Sequence, residues 1–126
     1  DNFRKRTQKE KDAIYTDAVA MVTSAWIPVI DNIERGLQAA SSMKSHDARK
    51  VADGMKMILK SALDVTDSFG VREIEALGKP FDPNTMEAVM HCEDENAGEN
   101  EVVEVLTKGY CKGEKVIRHA VVKVAN

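Results

Sequence analysis

The chain is poor in aromatic residues and in cysteine, and each shortage excludes a class of protein. Aromatic residues make up 5% of the 126 residues, so a hydrophobic core would be built from aliphatic side chains. Two cysteines without a CxxC spacing make no disulfide framework, which favours a reducing compartment such as the cytoplasm. No continuous apolar run approaches the roughly 20 residues of a membrane-spanning helix. We therefore expect no membrane association.

The charge balance excludes strongly basic and disordered classes. The net charge is −3 at pH 7, which argues against a nucleic-acid partner. A hydrophobic content of 43% beside 31% charged residues is typical of a folded chain. The start at Asp1 rather than methionine favours an internal cut, with the natural N-terminus missing.

The first third of the chain has the periodicity of one long helix. From Phe3 to about Ser41, apolar residues recur at spacings of 3 and 4 in two neighbouring stripes. Pro28 lies inside this pattern and predicts a kink or break near Ala25 and Trp26. We expect dimerisation through Ile14, Ala18, Met21, Ala25, Ile30, Ile33 and Leu37.

A second amphipathic helix follows a polar loop. Ser45 or Asp47 can cap its start, and Gly70 is positioned to end it in a left-handed conformation. Two helices of this kind cannot bury all their apolar faces in a monomer. We therefore predict a homodimer in which the long helices pair as a coiled coil and the helical hairpins form a four-helix bundle.

Past Gly70 the pattern changes to short strands. The runs 102–106 and 116–124 are rich in β-branched residues. Asp82-Pro83-Asn84 predicts a turn, and Gly109 and Gly113 bracket another. The predicted fold class is α+β, with a helical dimerisation domain over residues 1–70 and a small antiparallel β domain over 71–126.

No residue pattern predicts catalysis or a bound cofactor. The alternative of a metal-dependent enzyme would need a zinc site made by His91, Cys92, Cys111 and His119. The spacing of these four residues matches no known zinc-ligand pattern. The stretch 94–100 lacks the ligands of a calcium loop at its fifth and twelfth positions, and an acidic solvated turn is favoured. No nucleophile is found beside a base in a suitable context, so we predict that the chain is not an enzyme.

A basic run lies on the polar first turns of the long helix. It comprises Arg4, Lys5, Arg6, Lys9 and Lys11. Such a run is either a solvated helix face or an electrostatic contact to an acidic partner.

Several motifs follow one another along the chain. They are Asn2-Phe3-Arg4-Lys5-Arg6, the segment 27–35 (IPVIDNIER), Phe69-Gly70-Val71, the segment 78–84 (GKPFDPN) with Glu87-Ala88-Val89, and the closing stretch 109–125. Together, in this order, they resemble GrpE, the family of nucleotide-exchange factors of DnaK-type heat-shock chaperones, over essentially the whole chain. Met86 departs from the usual histidine of the family. Lys115 stands where many relatives have arginine; lysine keeps the charge but lacks the bidentate fork.

The resemblance implies a homodimer in which one β domain holds the ATPase domain of a DnaK-type chaperone, with a second contact along the long helix. By position, Arg4 and Lys5 match the helix contact, and Lys115 and Val124 match contacts of the β domain. The expected function is a cytoplasmic co-chaperone that accelerates ADP release during protein folding and heat shock. A bacterial source is favoured, with the mitochondrial matrix as the alternative. The alternative function is a coiled-coil scaffold or adaptor whose β domain binds another protein.

Overall fold

The computed structural model describes residues 2–126, which form a first unit ending at Gly70 and a second unit, Val71–Asn126. The first unit is all helical and the second contains only strands and turns. The chain thus consists of a long helix, a second helix and then small sheets, which confirms the predicted α+β class.

Helix α1 spans Asn2–Ser42, a length of about 60 Å at 1.5 Å per residue. The predicted break at Pro28 is wrong, because the helix continues through it. Ile27 and Ile30 flank the proline and are almost fully buried in the seam with the second helix. This packing holds the helix together where the proline removes a backbone hydrogen bond.

Helix α2 spans His46–Ser68 and is capped at both ends as predicted. The hydroxyl oxygen of Ser45 accepts a hydrogen bond from the amide of Ala48 at 3.1 Å, which makes Ser45 the N-cap. After Phe69, Gly70 adopts φ of +75°, and its amide donates to the carbonyl of Asp67 at 2.8 Å. The left-handed glycine ends the helix.

The seam between α1 and α2 is made mostly of small side chains. Gly36 illustrates the close approach, since a Cβ there would lie 2.3 Å from the Cε of Met55. The seam begins only at Ala20, so the first turns of α1 have no intramolecular cover. Its buried residues are Ala20, Thr23, Ile27, Ile30 and Ala40 from α1, and Ala48, Ala52, Ala62 and Thr66 from α2.

Helix α1 also contains an 18-residue window that is apolar enough, by length and composition, to cross a membrane. No such window was expected from the sequence. It is weak evidence for a membrane span, because the core helix of a soluble protein passes the same test.

The second unit contains two three-stranded sheets. Sheet one has the order β1-β4-β5 and sheet two the order β2-β6-β3. The pairings within sheet one and between β3 and β6 are antiparallel, as predicted, whereas β2 and β6 pair in parallel. The strands are β1 (Val71–Glu73), β2 (Met86–Cys92), β3 (Glu101–Thr107), β4 (Tyr110–Lys112), β5 (Lys115–Arg118) and β6 (Ala120–Ala125).

Sheet two carries the buried cluster of this unit. The cluster consists of Ala76, Met86, Val102, Ala120, Val122 and Val124, with Phe81 and Val105 packed against it. Each of these side chains comes from sheet two or from the segment between β1 and β2. Sheet one therefore depends on other contacts for its position.

The predicted turn at Asp82 forms, whereas the predicted turn between Gly109 and Gly113 is wrong, because those glycines bracket strand β4 and the turn lies after it. The carboxylate of Asp82 accepts a hydrogen bond from the amide of Asn84 at 2.9 Å, and the Asp82 carbonyl accepts one from the amide of Met86 at 2.9 Å. Gly113 takes φ of +56° in the turn that joins β4 to β5. This second turn closes a hairpin whose first strand follows directly on Gly109.

Candidate partner-binding surfaces

The helical unit exposes large apolar side chains at heptad spacing. Tyr15, Val22 and Val29 form one such row on α1, and each is at least 40% exposed. On α2 the row is Val51, Ile58 and Val65. Side chains that recur every seven residues on a helix form the seam of helix bundles and coiled coils. These two rows are therefore candidate contact surfaces for further helices.

An apolar groove lies on the surface of α1. Its volume is about 200 Å³. Thr23 lines the groove, but its hydroxyl donates a hydrogen bond to the carbonyl of Val19 at 2.7 Å. That hydroxyl proton is therefore already used within the helix. The groove has the size and character to receive apolar side chains. It is lined by Tyr15, Ala18, Val19, Val22, Thr23 and Phe69.

The seven predicted dimerisation residues divide into two groups. Ile14, Ala18, Met21 and Ala25 are exposed, with Met21 at 73% and Ile14 at 69%. Ile30 is fully buried against α2, while Ile33 and Leu37 are half-buried. The structure gives Ile30 an intramolecular role, and its part in dimerisation stays a prediction with that of the other six.

The basic run at the start of α1 is fully exposed. Arg4 and Lys5 lie on the solvent side of the helix. Arg6 lies 5.9 Å from the ring centroid of Phe3, within range of a cation–π contact. The contact roles of Arg4 and Lys5 stay predictions, and the structure leaves both side chains accessible.

Lys115 lies at the exposed end of the β4–β5 hairpin. It begins β5, and its cross-strand partner is Lys112. Glu114 lies between the two lysines in the sequence, so this end of the hairpin carries charges of both signs. The exposed Lys115 is accessible to a partner there.

Val124 lies on the other sheet and is mostly buried. Only 8% of its surface is exposed, and it belongs to the cluster of sheet two. A direct contact from Val124 stays a prediction. Its substitution would act first on the core and only then on any partner.

The proposed zinc ligands are spread over both sheets. Cys92 pairs with Ala125 in sheet two, and Cys111 pairs with Arg72 and Val116 in sheet one. Within residues 2–126, no three His, Cys, Asp or Glu side chains are grouped to hold a metal ion.

The acidic turn after β2 is organised by Asn126, a residue that sequence reasoning missed. Its Nδ2 donates to the carbonyls of Asp94 and Ala97 at 2.8 and 3.0 Å, and its Oδ1 accepts from the amide of Asp94 at 3.1 Å. The pairing spans about thirty residues of sequence, so no local motif could reveal it. The backbone of this turn is therefore held in place by hydrogen bonds to the side chain of Asn126.

Comparison with known proteins gives one family. The family model described as GrpE matches residues 1–126. A relative named Protein GrpE from Clostridium acetobutylicum is 51% identical over 126 residues, which is 100% of this chain and 60% of the relative. The Protein GrpE of Geobacillus stearothermophilus is 42% identical over 125 residues, 99% of this chain and 56% of the relative. The chain thus spans 56–60% of the length of these two relatives.

Proposed function

Because the chain belongs to the GrpE family, we propose that it is a co-chaperone and nucleotide-exchange factor. It binds the ATPase domain of a DnaK-type chaperone, opens the nucleotide cleft and accelerates ADP release during protein folding and the heat-shock response. The observation that carries this proposal is the family match over all 126 residues. The bacterial relatives support a bacterial cytoplasmic location.

The mechanism requires differential binding and no covalent chemistry. If the chain binds the open form of the chaperone more tightly than the closed form, it must lower the affinity for ADP by the same factor. Rebinding of ATP closes the cleft and expels the chain by the same linkage. Surface contacts of the right geometry are enough for this reaction.

The β4–β5 hairpin is the proposed principal contact. The support is physical: Lys115 is exposed at the end of the hairpin, where it pairs across the strands with Lys112. Contacts of this kind mainly set the association rate and specificity. Val124 contributes from sheet two, where it belongs to the buried cluster of the β unit.

The first turns of α1 supply a second, weaker contact. Arg4 and Lys5 are exposed and belong to a run of five cations over residues 4–11. Exposed charges interact over roughly a Debye length, about 8 Å at physiological salt. Binding through this run is therefore expected to weaken as salt concentration rises.

The helical unit pairs two copies of the chain. The support is the heptad rows of exposed apolar side chains on both helices, beside a hairpin seam built from small residues. A second hairpin placed on these rows completes a four-helix bundle. The exposed seam from Ile14 to Ala25 continues the pairing toward the N-terminal end of α1.

The direct test is ADP release from a DnaK-type ATPase domain, followed by stopped flow with a fluorescent ADP. Added chain should raise the release rate in a saturable manner. With Lys115→Glu, the half-saturating concentration should rise about tenfold, because a like charge then faces the acidic surface of the chaperone. Lys79→Glu, the same reversal at another exposed lysine of the β unit, serves as the control.

An unchanged release rate at saturating wild-type chain would refute the proposal. If the chaperone binds but ADP release does not accelerate, a scaffold or adaptor role takes its place. If Lys79→Glu impairs exchange as strongly as Lys115→Glu, the contact is not specific to the hairpin.

A further inference from the structure

The two sheets of the β unit are joined by two very short links that touch each other. Lys108 and Gly109 connect β3 of sheet two to β4 of sheet one, and His119 alone connects β5 of sheet one to β6 of sheet two. We call the contact between these links the sheet junction; it comprises Lys108, Gly109, Arg118, His119 and Ala120.

The sheet junction is too tightly packed for any side chain at Gly109. A Cβ there would lie 2.4 Å from the backbone nitrogen of Ala120 and 2.8 Å from the carbonyl oxygen of Arg118. The Gly109 carbonyl accepts a hydrogen bond from the amide of Ile74 at 2.8 Å. The amide of Ala120 donates in turn to the carbonyl of Thr85 at 3.0 Å. The backbones of both links are therefore fixed where they cross.

One side chain fastens the two links to each other. The guanidinium of Arg118, at the end of β5, donates from Nε and Nη2 to the carbonyl oxygen of Lys108, at 2.9 and 2.5 Å. Its central carbon lies 5.8 Å from the ring centroid of the buried Tyr110. A planar guanidinium can make both contacts at once, whereas an ammonium has neither a rigid fork of parallel donors nor a flat face to stack on the ring.

The main buried cluster of the β unit does little to fix the angle of sheet one, because it is built from sheet two and the segment before β2. Sheet one contributes two other buried side chains, Val71 and Tyr110. The β4–β5 hairpin is short, with three residues in β4 and four in β5. A hairpin of this size is marginally stable by itself. Its direction therefore depends on the junction together with the burial of Tyr110.

We propose that Arg118 is a positioning residue for chaperone binding: by fastening β5 to the β3–β4 link, it sets the angle at which the hairpin presents Lys115. The inference rests on the proposed function, because the hairpin is a contact surface only in that context. Arg118 itself need not touch the chaperone. A hairpin free to pivot would reach the bound geometry in only part of its population, and the apparent affinity would fall by that fraction.

The kinetic test compares Arg118→Met and Arg118→Lys in the ADP-release assay with the full chain. Arg118→Met keeps much of the apolar stem and loses every donor. Its half-saturating concentration should rise about tenfold, as expected for losing a hydrogen bond from a charged group. The maximal release rate should stay unchanged, because the hairpin still reaches the bound geometry. Arg118→Lys should recover part of the affinity, and Lys79→Met is the charge-matched control.

The outcomes separate the two proposals. If wild-type chain fails to accelerate ADP release, the proposed function falls whatever Arg118 does. If wild-type chain accelerates release and Arg118→Met has the same half-saturating concentration, the positioning role is refuted and the proposed function stands. A fall in the maximal rate at unchanged half-saturation would also refute it.

Residual dipolar couplings test the geometry without a partner. In the wild type, the amide couplings of the β4–β5 hairpin and of sheet two should fit one alignment tensor. In Arg118→Met the hairpin couplings should shrink while those of sheet two keep their values. If the couplings of the hairpin and of sheet two in Arg118→Met still fit one alignment tensor, and the hairpin couplings keep their wild-type size, the inference is overturned. If Arg118→Met leaves no folded β unit, Arg118→Lys carries both measurements, and wild-type values for it would overturn the inference equally.

Discussion

The two units of this chain differ in which side chains form their interior. In the β unit, Val102, Tyr110 and Val122 are almost fully buried. In the helical unit the inner seam is mostly Ala and Thr, while Met21, Val22 and Ile58 are more than half exposed. The β unit thus has an interior of large side chains, although Leu77, Val89, Met90 and Leu106 stay exposed. The helical unit retains apolar surface that a second copy can cover.

The energetics of this difference are substantial. Fully burying one large aliphatic side chain contributes roughly 1.5–3 kcal/mol. Helices in isolation are marginal, and most of their stability comes from packing of an apolar face. If two copies pair as proposed, a helical hairpin with a seam of small residues would gain much of its stability from the second copy.

The largest effect is expected from Gly109→Val, which should disrupt the β unit and spare the helices. The new side chain would collide with the backbone of Ala120, and backbone cannot move aside cheaply. The cost should exceed about 3 kcal/mol, the upper range for overpacking. Amide NMR dispersion of the β unit should collapse while the helical circular dichroism signal persists.

Gly54→Ala is the matched control, because a Cβ at Gly54 meets nothing within 4 Å. In the middle of α2 it should stabilise the helical unit by about 0.5–1 kcal/mol. If Gly109→Val loses its helical circular dichroism signal together with the structure of the β unit, the two units fold as one.

A second, smaller effect is expected from Met21→Lys. On the surface of a monomer this change would alter stability by less than about 0.5 kcal/mol. In a paired helical unit it places a charge in an apolar interface and should cost several times more. The thermal midpoint of the wild-type helices should rise with chain concentration, and that dependence should weaken strongly in the variant.

Gln38→Lys, at an exposed polar position of the same helix, adds the same charge without removing an apolar group. It should leave the concentration dependence intact. If Met21→Lys behaves like Gln38→Lys, the exposed seam of α1 is solvated in the native protein and does not pair.

The smallest effect is expected from Ser45→Ala at the start of α2. The variant loses the hydroxyl that accepts from the Ala48 amide, which typically costs about 1 kcal/mol. Urea unfolding followed at 222 nm measures the change. Ser45→Asp keeps an acceptor and should unfold at nearly the wild-type midpoint, whereas equal losses in both variants would show that the cap contributes little.

Local features of the fold could be predicted from the sequence. The bounds of α1, the cap at Ser45, the left-handed Gly70 and the turn at Asp82 each depend on a few neighbouring residues. Periodicity also found apolar stripes on α1. It could not tell which stripe faces α2, and the inner seam from Ala20 to Ile27 was missed although its spacings of 3 and 4 were visible.

Features that depend on distant parts of the chain could not be predicted. The parallel pairing of β2 with β6 joins segments about thirty residues apart, and strand composition does not record direction. Arg118 and Asn126 act on backbone carbonyls far away in sequence. The buried position of Val124 follows from sheet register, which alternating residues alone leave open.

The most direct test of the pairing that this contrast implies is the mass of the wild-type chain in solution, measured by sedimentation equilibrium over a wide concentration range. One chain has a mass of 13.9 kDa. We expect a single species of twice that mass at micromolar concentration, with dissociation accompanied by loss of helical signal. A monomer that keeps its full helical signal at every concentration would contradict it.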